Sequence, residues 1–125
     1  MANFYRSEVV TAMREQALVP VFYHPEKEVV MGIVGACARG GSRLVEFTNR
    51  GEGAADLFGE VIKACRKEYP KLMVGVGSVR DEITAGIYIG KGRTLWWGRR
   101  STRGYRRYAT GWGWRILRGA GRRRK

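Results

Sequence analysis

One carboxylate stands inside an apolar segment of this 125-residue chain, at Glu46 in the run LVEFT. A carboxylate at such a position is costly unless it is paired or used in chemistry. Glu46 is therefore a candidate proton donor or acceptor, and the alternative is a solvated acid at the end of a strand. The one histidine, His24, stands directly before Pro25, and we expect it to have a structural role only.

Strands and helices alternate along the sequence around Glu46. Apolar residues at helical spacing predict a leading helix over residues 4–17. Compact apolar runs then predict three strands, each followed by a helix, with the strands over residues 18–24, 43–49 and 72–79. Apolar strands joined by helices indicate a parallel sheet covered on both sides. The strand starts are 25 to 29 residues apart, which predicts a fourth strand in the low to middle nineties.

The cysteines and the apolar segments predict an intracellular protein without a bound metal. Cys37 and Cys65 lie in helical patterns and are predicted to be reduced, buried thiols, so no disulfide, metal or cofactor is expected. The start of the chain has no long apolar segment typical of an export signal. The most apolar run, VVMGIVGACA, is about half as long as a membrane span. We therefore expect a cytoplasmic protein with no membrane partner.

Three strand ends resemble a known enzyme family. The segments LVPVFYH, GGSRLVEFTNR and VGVGSV are similar, in order and spacing, to the first three strands of the 2-keto-3-deoxy-6-phosphogluconate aldolases, which are also 4-hydroxy-2-oxoglutarate aldolases. The resemblance covers residues 4–92 and implies an α/β fold. The implied architecture is a partial (β/α)₈ barrel, with about the first three βα units after a leading helix. Residues 93–125 would then form an irregular basic tail.

The same resemblance implies a lyase that forms a Schiff base with its substrate. In this family a lysine condenses with the ketone of a 2-keto acid, and a glutamate takes the proton of the C4 hydroxyl as the C3–C4 bond breaks. The products are pyruvate and glyceraldehyde 3-phosphate, or pyruvate and glyoxylate. Glu46 matches the acid/base, Arg50 the arginine that holds the substrate carboxylate, and Ser78 a position where the family usually has threonine. Arg50 could instead be a surface arginine, and Ser78 a turn hydroxyl.

The Schiff-base lysine has no counterpart in the sequence. The six lysines are predicted to lie on helices, on helix flanks or at the last residue: Lys27, Lys63, Lys67, Lys71, Lys91 and Lys125. The resemblance therefore implies an aldolase by descent in which this chain is inactive. The family is typically trimeric, and a chain of this length is expected to lack part of the surface needed for that assembly.

The charge of the chain is concentrated in its last quarter. Residues 1–92 hold 12 Lys/Arg and all 11 Asp/Glu, whereas residues 93–125 hold the other 12 bases and no acid, so that they account for +12 of the net +13. Arginine interleaved with glycine and aromatic residues can neutralise phosphates and stack on bases. The alternative function is thus a small basic nucleic-acid-binding protein that uses this tail. If the chain is instead part of an aldolase, we expect the same tail to bind nucleic acid only non-specifically.

The tail also has the features of a shifted reading frame. Tryptophan has the single codon TGG, so Trp96-Trp97-Gly98 requires TGGTGGGG. Codons that begin one base earlier encode Leu, Met or Val, then Val, then Gly, which is an apolar strand end where the fourth strand is due. RTLWWG is compatible with bases that read ADFVVG, which is similar to the family's fourth strand. The sequence therefore favours the loss of one base between the codons of Gly92 and Arg93.

Overall fold

The computed structural model describes residues 4–92 and the backbone of residues 95 and 96. Helices and strands alternate along this part of the chain: α1 (Arg6–Gln16), β1 (Val21–Phe22), α2 (Lys27–Arg39), β2 (Leu44–Thr48), α3 (Ala54–Glu68), β3 (Met73–Gly77), α4 (Glu82–Gly92) and β4 (Leu95–Trp96). The leading helix and the three predicted βα units are confirmed. The predicted tail over residues 93–125 lies outside the described residues, except for the backbone of β4.

The strands form one parallel sheet in the order β1-β2-β3-β4. The fourth strand, predicted from spacing alone, pairs with β3 through Leu95 opposite Gly75. The first strand is much shorter than predicted, since only Val21 and Phe22 pair with β2. Pro20 has no N–H to donate to the ladder, so it contributes only its carbonyl, which accepts the Glu46 N–H at 2.8 Å.

The three connecting helices all pack on the same face of the sheet, which we call the outer face. Val45 and Phe47 of β2 and Val74 and Val76 of β3 point to this face and join one buried cluster with residues of α2, α3 and α4. The sheet was expected to be covered by helices on both sides, and this expectation is wrong for the connecting helices. Helices confined to one face are typical of a barrel, in which the other face points inward.

The opposite face, which we call the inner face, is closed at its amino end by α1. Val9 and Ala12 of α1 pack on Leu44 and Met73, the first residues of β2 and β3. Gln16 fixes this contact, because its Oε1 accepts the Leu44 N–H at 3.2 Å and its Nε2 donates to the Leu44 carbonyl at 3.0 Å. Because α1 covers only the amino end of the inner face, a site can form at the carboxyl ends of the strands.

The two cysteines lie on the outer helices and are free thiols. Cys65 is buried, as predicted, and burial raises the pKa of its thiol to about 11, with a smaller contribution from Glu68. Cys37 is only half-buried, so its predicted burial is wrong. Cys37 lies in the last turn of α2, which ends at Arg39 before Gly40. Within residues 4–92, no helix has the length and apolar character needed to cross a membrane.

Candidate active site

Glu46 lies on the inner face, in the middle of β2. Its strand neighbours are Val21 of β1 and Gly75 of β3. Only 4% of its surface is exposed, and the sequence-based interpretation as a solvated strand-end acid is therefore wrong. The carboxylate reaches towards the carboxyl end of β3 and lies against Gly77. A carboxylate in this position can take or give a proton without competition from bulk water.

The other two predicted site residues lie just beyond the same two strand ends. Thr48 pairs with Gly77 in the sheet register, and the Asn49 N–H donates to the Gly77 carbonyl at 2.8 Å. Arg50 therefore follows β2 at the edge where Ser78 follows β3. The sheet thus places Arg50 and Ser78 beyond the carboxyl ends of two adjacent strands, and Glu46 lies two residues before the end of β2.

Arg50 and Ser78 are both exposed at this edge, in contrast to Glu46. The ion pairs formed among residues 4–92 do not include Arg50, so its guanidinium can receive a carboxylate or another anion. Ser78 has a φ of 61°, in the left-handed region. Serine adopts this conformation more readily than a β-branched threonine does, which fits the presence of serine here.

Asn49 is held from a second side by α4. The Tyr88 hydroxyl donates a hydrogen bond of 2.8 Å to Asn49 Oδ1, so that Asn49 joins β2, β3 and α4. Tyr88 is 3% exposed. Burial raises the pKa of its phenol to about 12, with a smaller effect from Tyr23. Because Asn49 directly precedes Arg50, this hydrogen bond fixes the backbone that presents the guanidinium.

Aromatic rings support the site strand from the outer face. The ring of Phe47 lies 6.2 Å from that of Phe22, 5.7 Å from that of Tyr23 and 5.8 Å from that of Phe58, in edge or tilted arrangements. These distances lie in the range of favourable aromatic pairs. Strand β2 is therefore held between rings on one face while it presents Glu46 on the other.

The remaining polar residues of the sequence prediction lie away from the strand ends or have structural partners. His24 Nδ1 accepts the Glu26 N–H at 3.1 Å just before α2, in agreement with its predicted structural role. Lys27 pairs with Glu60 at 3.2 Å, and Lys91 pairs with Asp56 at 2.6 Å. None of the lysines in residues 4–92 lies on a strand, as predicted.

Several solved aldolase structures have a similar fold. The 2-keto-3-deoxy-6-phosphogluconate aldolase of Zymomonas mobilis ZM4, solved with 3-phosphoglycerate, matches 92% of this chain with a TM-score of 0.76 and 21% identity. The chain has the fold of these aldolases. The enzyme from Legionella pneumophila, in which pyruvate was captured as a covalent carbinolamine, matches 82% of the chain with a TM-score of 0.71 and 20% identity. A 4-hydroxy-2-oxoglutarate/2-dehydro-3-deoxyphosphogluconate aldolase from TTHB1 matches 88% with a TM-score of 0.71 and 21% identity.

The chain spans about half the length of these aldolases, between 48% and 53% of each. The partial aldolase-type barrel implied by the sequence resemblance is therefore confirmed as a fold. No protein-family model matches the sequence, and a comparison with curated proteins gives no match.

Two residues that shape the site were not singled out from the sequence. Asn49 and Gly77 each contact a candidate residue or fix its backbone, yet neither has a side chain that suggests chemistry. The signal for Gly77 was present in the run VGVG, because glycine inside a strand often marks the close approach of another group.

Proposed function

We propose that residues 4–92 are the amino-terminal part of a 2-keto-3-deoxy-6-phosphogluconate or 4-hydroxy-2-oxoglutarate aldolase. The observation that supports this most strongly is the burial of Glu46 on the inner face, beside the strand ends that carry Arg50 and Ser78. The fold likeness to aldolases agrees with it. The substrate class is a 2-keto acid, and the reaction is a class I aldol cleavage that releases pyruvate.

Each candidate residue has a distinct role in this proposal. Glu46 accepts the proton of the substrate's C4 hydroxyl while the C3–C4 bond breaks, because a shielded carboxylate next to the reacting carbon is a suitable general base. Arg50 binds the substrate carboxylate through charge-assisted hydrogen bonds. The Ser78 hydroxyl donates a hydrogen bond to the same carboxylate. The fourth role, that of the imine-forming lysine, has no candidate on the described strands.

A polypeptide of these 125 residues is consequently proposed to bind pyruvate without forming an imine. Loss of a general base slows an enzyme by a factor of typically 10²–10⁴, whereas loss of the nucleophilic amine removes the covalent pathway itself. Borohydride reduction in the presence of pyruvate should therefore leave the mass of the protein unchanged. A covalent adduct of reduced pyruvate on any lysine would contradict this part of the proposal.

Pyruvate binding tests the roles of the predicted residues directly. Saturation-transfer NMR should detect weak pyruvate binding to the intact chain and a clear loss of that signal in Arg50→Ala. Arg80→Ala is a suitable control, since Arg80 is an exposed arginine two residues beyond Ser78. Equal binding by the wild type and Arg50→Ala would show that the edge is not a carboxylate site.

We also propose that residues 93–125 are read out of frame from an aldolase gene. The proposal rests on the tryptophan codons and on the absence of acids after Gly92. The nucleotide sequence beyond codon 92 tests it, and the expected result is an uninterrupted frame, one base earlier, that encodes ADFVVG near codon 93. A stop codon within a few codons in that frame would refute the shift.

The alternative function is nucleic-acid binding by the basic tail, which its net charge of +12 favours. If the tail binds by charge alone, the affinity for RNA should fall steeply with salt and show no sequence preference. Filter binding at two salt concentrations, with and without residues 93–125, distinguishes this from a selected function. Binding that survives high salt with a defined sequence preference would favour the nucleic-acid-binding protein.

A further inference from the structure

A glycine on the neighbouring strand makes room for the Glu46 side chain. A Cβ placed on Gly77 would overlap Glu46 Oε1 and Cδ and would lie only 3.0 Å from Oε2. Such an overlap involves the whole carboxylate and exceeds a shift of a few tenths of an ångström, so the end of the flexible Glu46 side chain would have to rotate away. Any side chain larger than hydrogen at position 77 therefore excludes the observed position of the carboxylate.

The backbone itself does not require glycine at this position. Gly77 is not among the described glycines with a positive φ, and it ends a regular strand paired with Thr48. Glycine inside a strand lowers stability relative to other residues, because it packs nothing and loses more entropy on folding. The close contact with Glu46, and not the backbone conformation, is thus the reason for glycine at this strand end.

We propose that Gly77 is a positioning residue that holds the Glu46 carboxylate at the carboxyl end of the inner face. The inner side of β3 supplies a slot without a side chain, and the Glu46 side chain crosses from β2 into that slot. Helix α1 closes the inner face at the amino end, and the slot directs the carboxylate towards the carboxyl end of β3, which Ser78 follows. The consequence for catalysis rests on the function proposed above, whereas the steric relation between the two residues does not.

A double-mutant cycle on the intact chain tests this relation. Gly77→Ala should raise the equilibrium constant of unfolding by about fivefold to tenfold in the wild-type background, at the low end for overpacking, because the flexible Glu46 side chain can rotate away at the loss of its buried position. In the Glu46→Ala background the same change should cost about threefold or less, because the obstructing side chain is gone. The Glu46→Gln background keeps the shape without the charge and should retain the full cost.

An equal fold-change in the wild-type and Glu46→Ala backgrounds would overturn the proposal. If Gly77→Ala does not fold, the double variant Glu46→Ala/Gly77→Ala decides, since it should fold, and its failure to fold would also overturn it. Gly32→Ala is the matched control, because a Cβ there meets no atom within 4 Å.

Carboxylate labelling reports the position of Glu46 independently of stability. With a carbodiimide and an amine, wild-type Glu46 should react slowly, since it is 4% exposed, while Asp56, with a side chain that is 79% exposed, reacts rapidly. Gly77→Ala should raise labelling of Glu46 severalfold and leave Asp56 unchanged. Unchanged labelling of Glu46 would refute the positioning role. A failure of pyruvate binding alone would refute the proposed function and leave this inference intact.

Discussion

The hydrogen bond between Tyr88 and Asn49 allows a quantitative test of how the site edge is held. Tyr88→Phe removes one hydroxyl and leaves the buried ring in place, where it packs 5.2 Å from Phe58 in an edge arrangement. The change leaves Asn49 Oδ1 without its donor. Because Asn49 is only half-buried, water can replace part of the lost bond.

The expected cost lies at the lower end of the range for a deleted hydrogen bond. Loss of a partner from a buried polar group costs about 1–3 kcal/mol, so we expect Tyr88→Phe to lower the free energy of unfolding by about 1–2 kcal/mol at pH 7. Urea unfolding followed by far-UV circular dichroism measures this. Tyr5→Phe is the control, because Tyr5 is 80% exposed and should cost less than about 0.5 kcal/mol.

The same variant should also change the alkaline pH dependence. The pKa of Tyr88 rises from 10.0 to about 12 on folding, so the unfolded chain loses this proton first. The stabilisation by the protonated phenol is complete below pH 10 and is lost as the pH rises from 10 towards 12. The stability difference between wild type and Tyr88→Phe should therefore be constant near neutral pH and shrink over that interval. A difference that stays constant up to pH 12, or no cost at pH 7, would refute the assigned burial and hydrogen bond.

Three further outcomes are expected from the packing of the chain. Under native conditions Cys37 should react with a thiol reagent much faster than Cys65, since burial raises the pKa of Cys65 to about 11; equal rates by mass spectrometry would contradict this. Phe47→Ala should cost about 3–5 kcal/mol in urea unfolding, against less than about 0.5 kcal/mol for the exposed Ile83→Ala. Asp81 accepts the Thr84 N–H in the first turn of α4, which lowers the pKa of Asp81, so this contribution is present above about pH 4 and lost as the pH falls through the lowered pKa. The hydrogen-exchange protection factors of the first-turn amides should decrease over that pH range, and already at neutral pH in Asp81→Ala.

The order of strands and helices could be predicted because it depends on local patterns. Apolar runs and helical periodicity gave three βα units, and regular spacing gave the fourth strand. Which face the helices cover could not be read from periodicity, since a helix with one apolar stripe packs equally well on either face. That choice is decided by the sheet twist and the handedness of the crossovers, which act over the whole unit.

Some residues of the candidate site could also be predicted from the sequence, and others could not. Glu46 was predictable because a carboxylate inside an apolar run is conspicuous in the sequence itself. Gly77 and Tyr88 were not, since their roles depend on pairs that lie 31 and 39 residues apart and on the register that sets Glu46 beside Gly75. A shift of that register by one residue would turn the strand over and remove the slot from the carboxylate. Sequence patterns thus indicate the candidate carboxylate, and the register determines which residues position it.

The sheet continues across the junction proposed at residue 92. Strand β4 pairs at Leu95 and Trp96, beside Gly75 and Val76. Under the proposed shift, each TGG codon reads one base earlier as a codon that ends in TG, and every such codon encodes Leu, Met or Val. Bulky apolar residues, which are well suited to strands, therefore occupy this stretch in both frames.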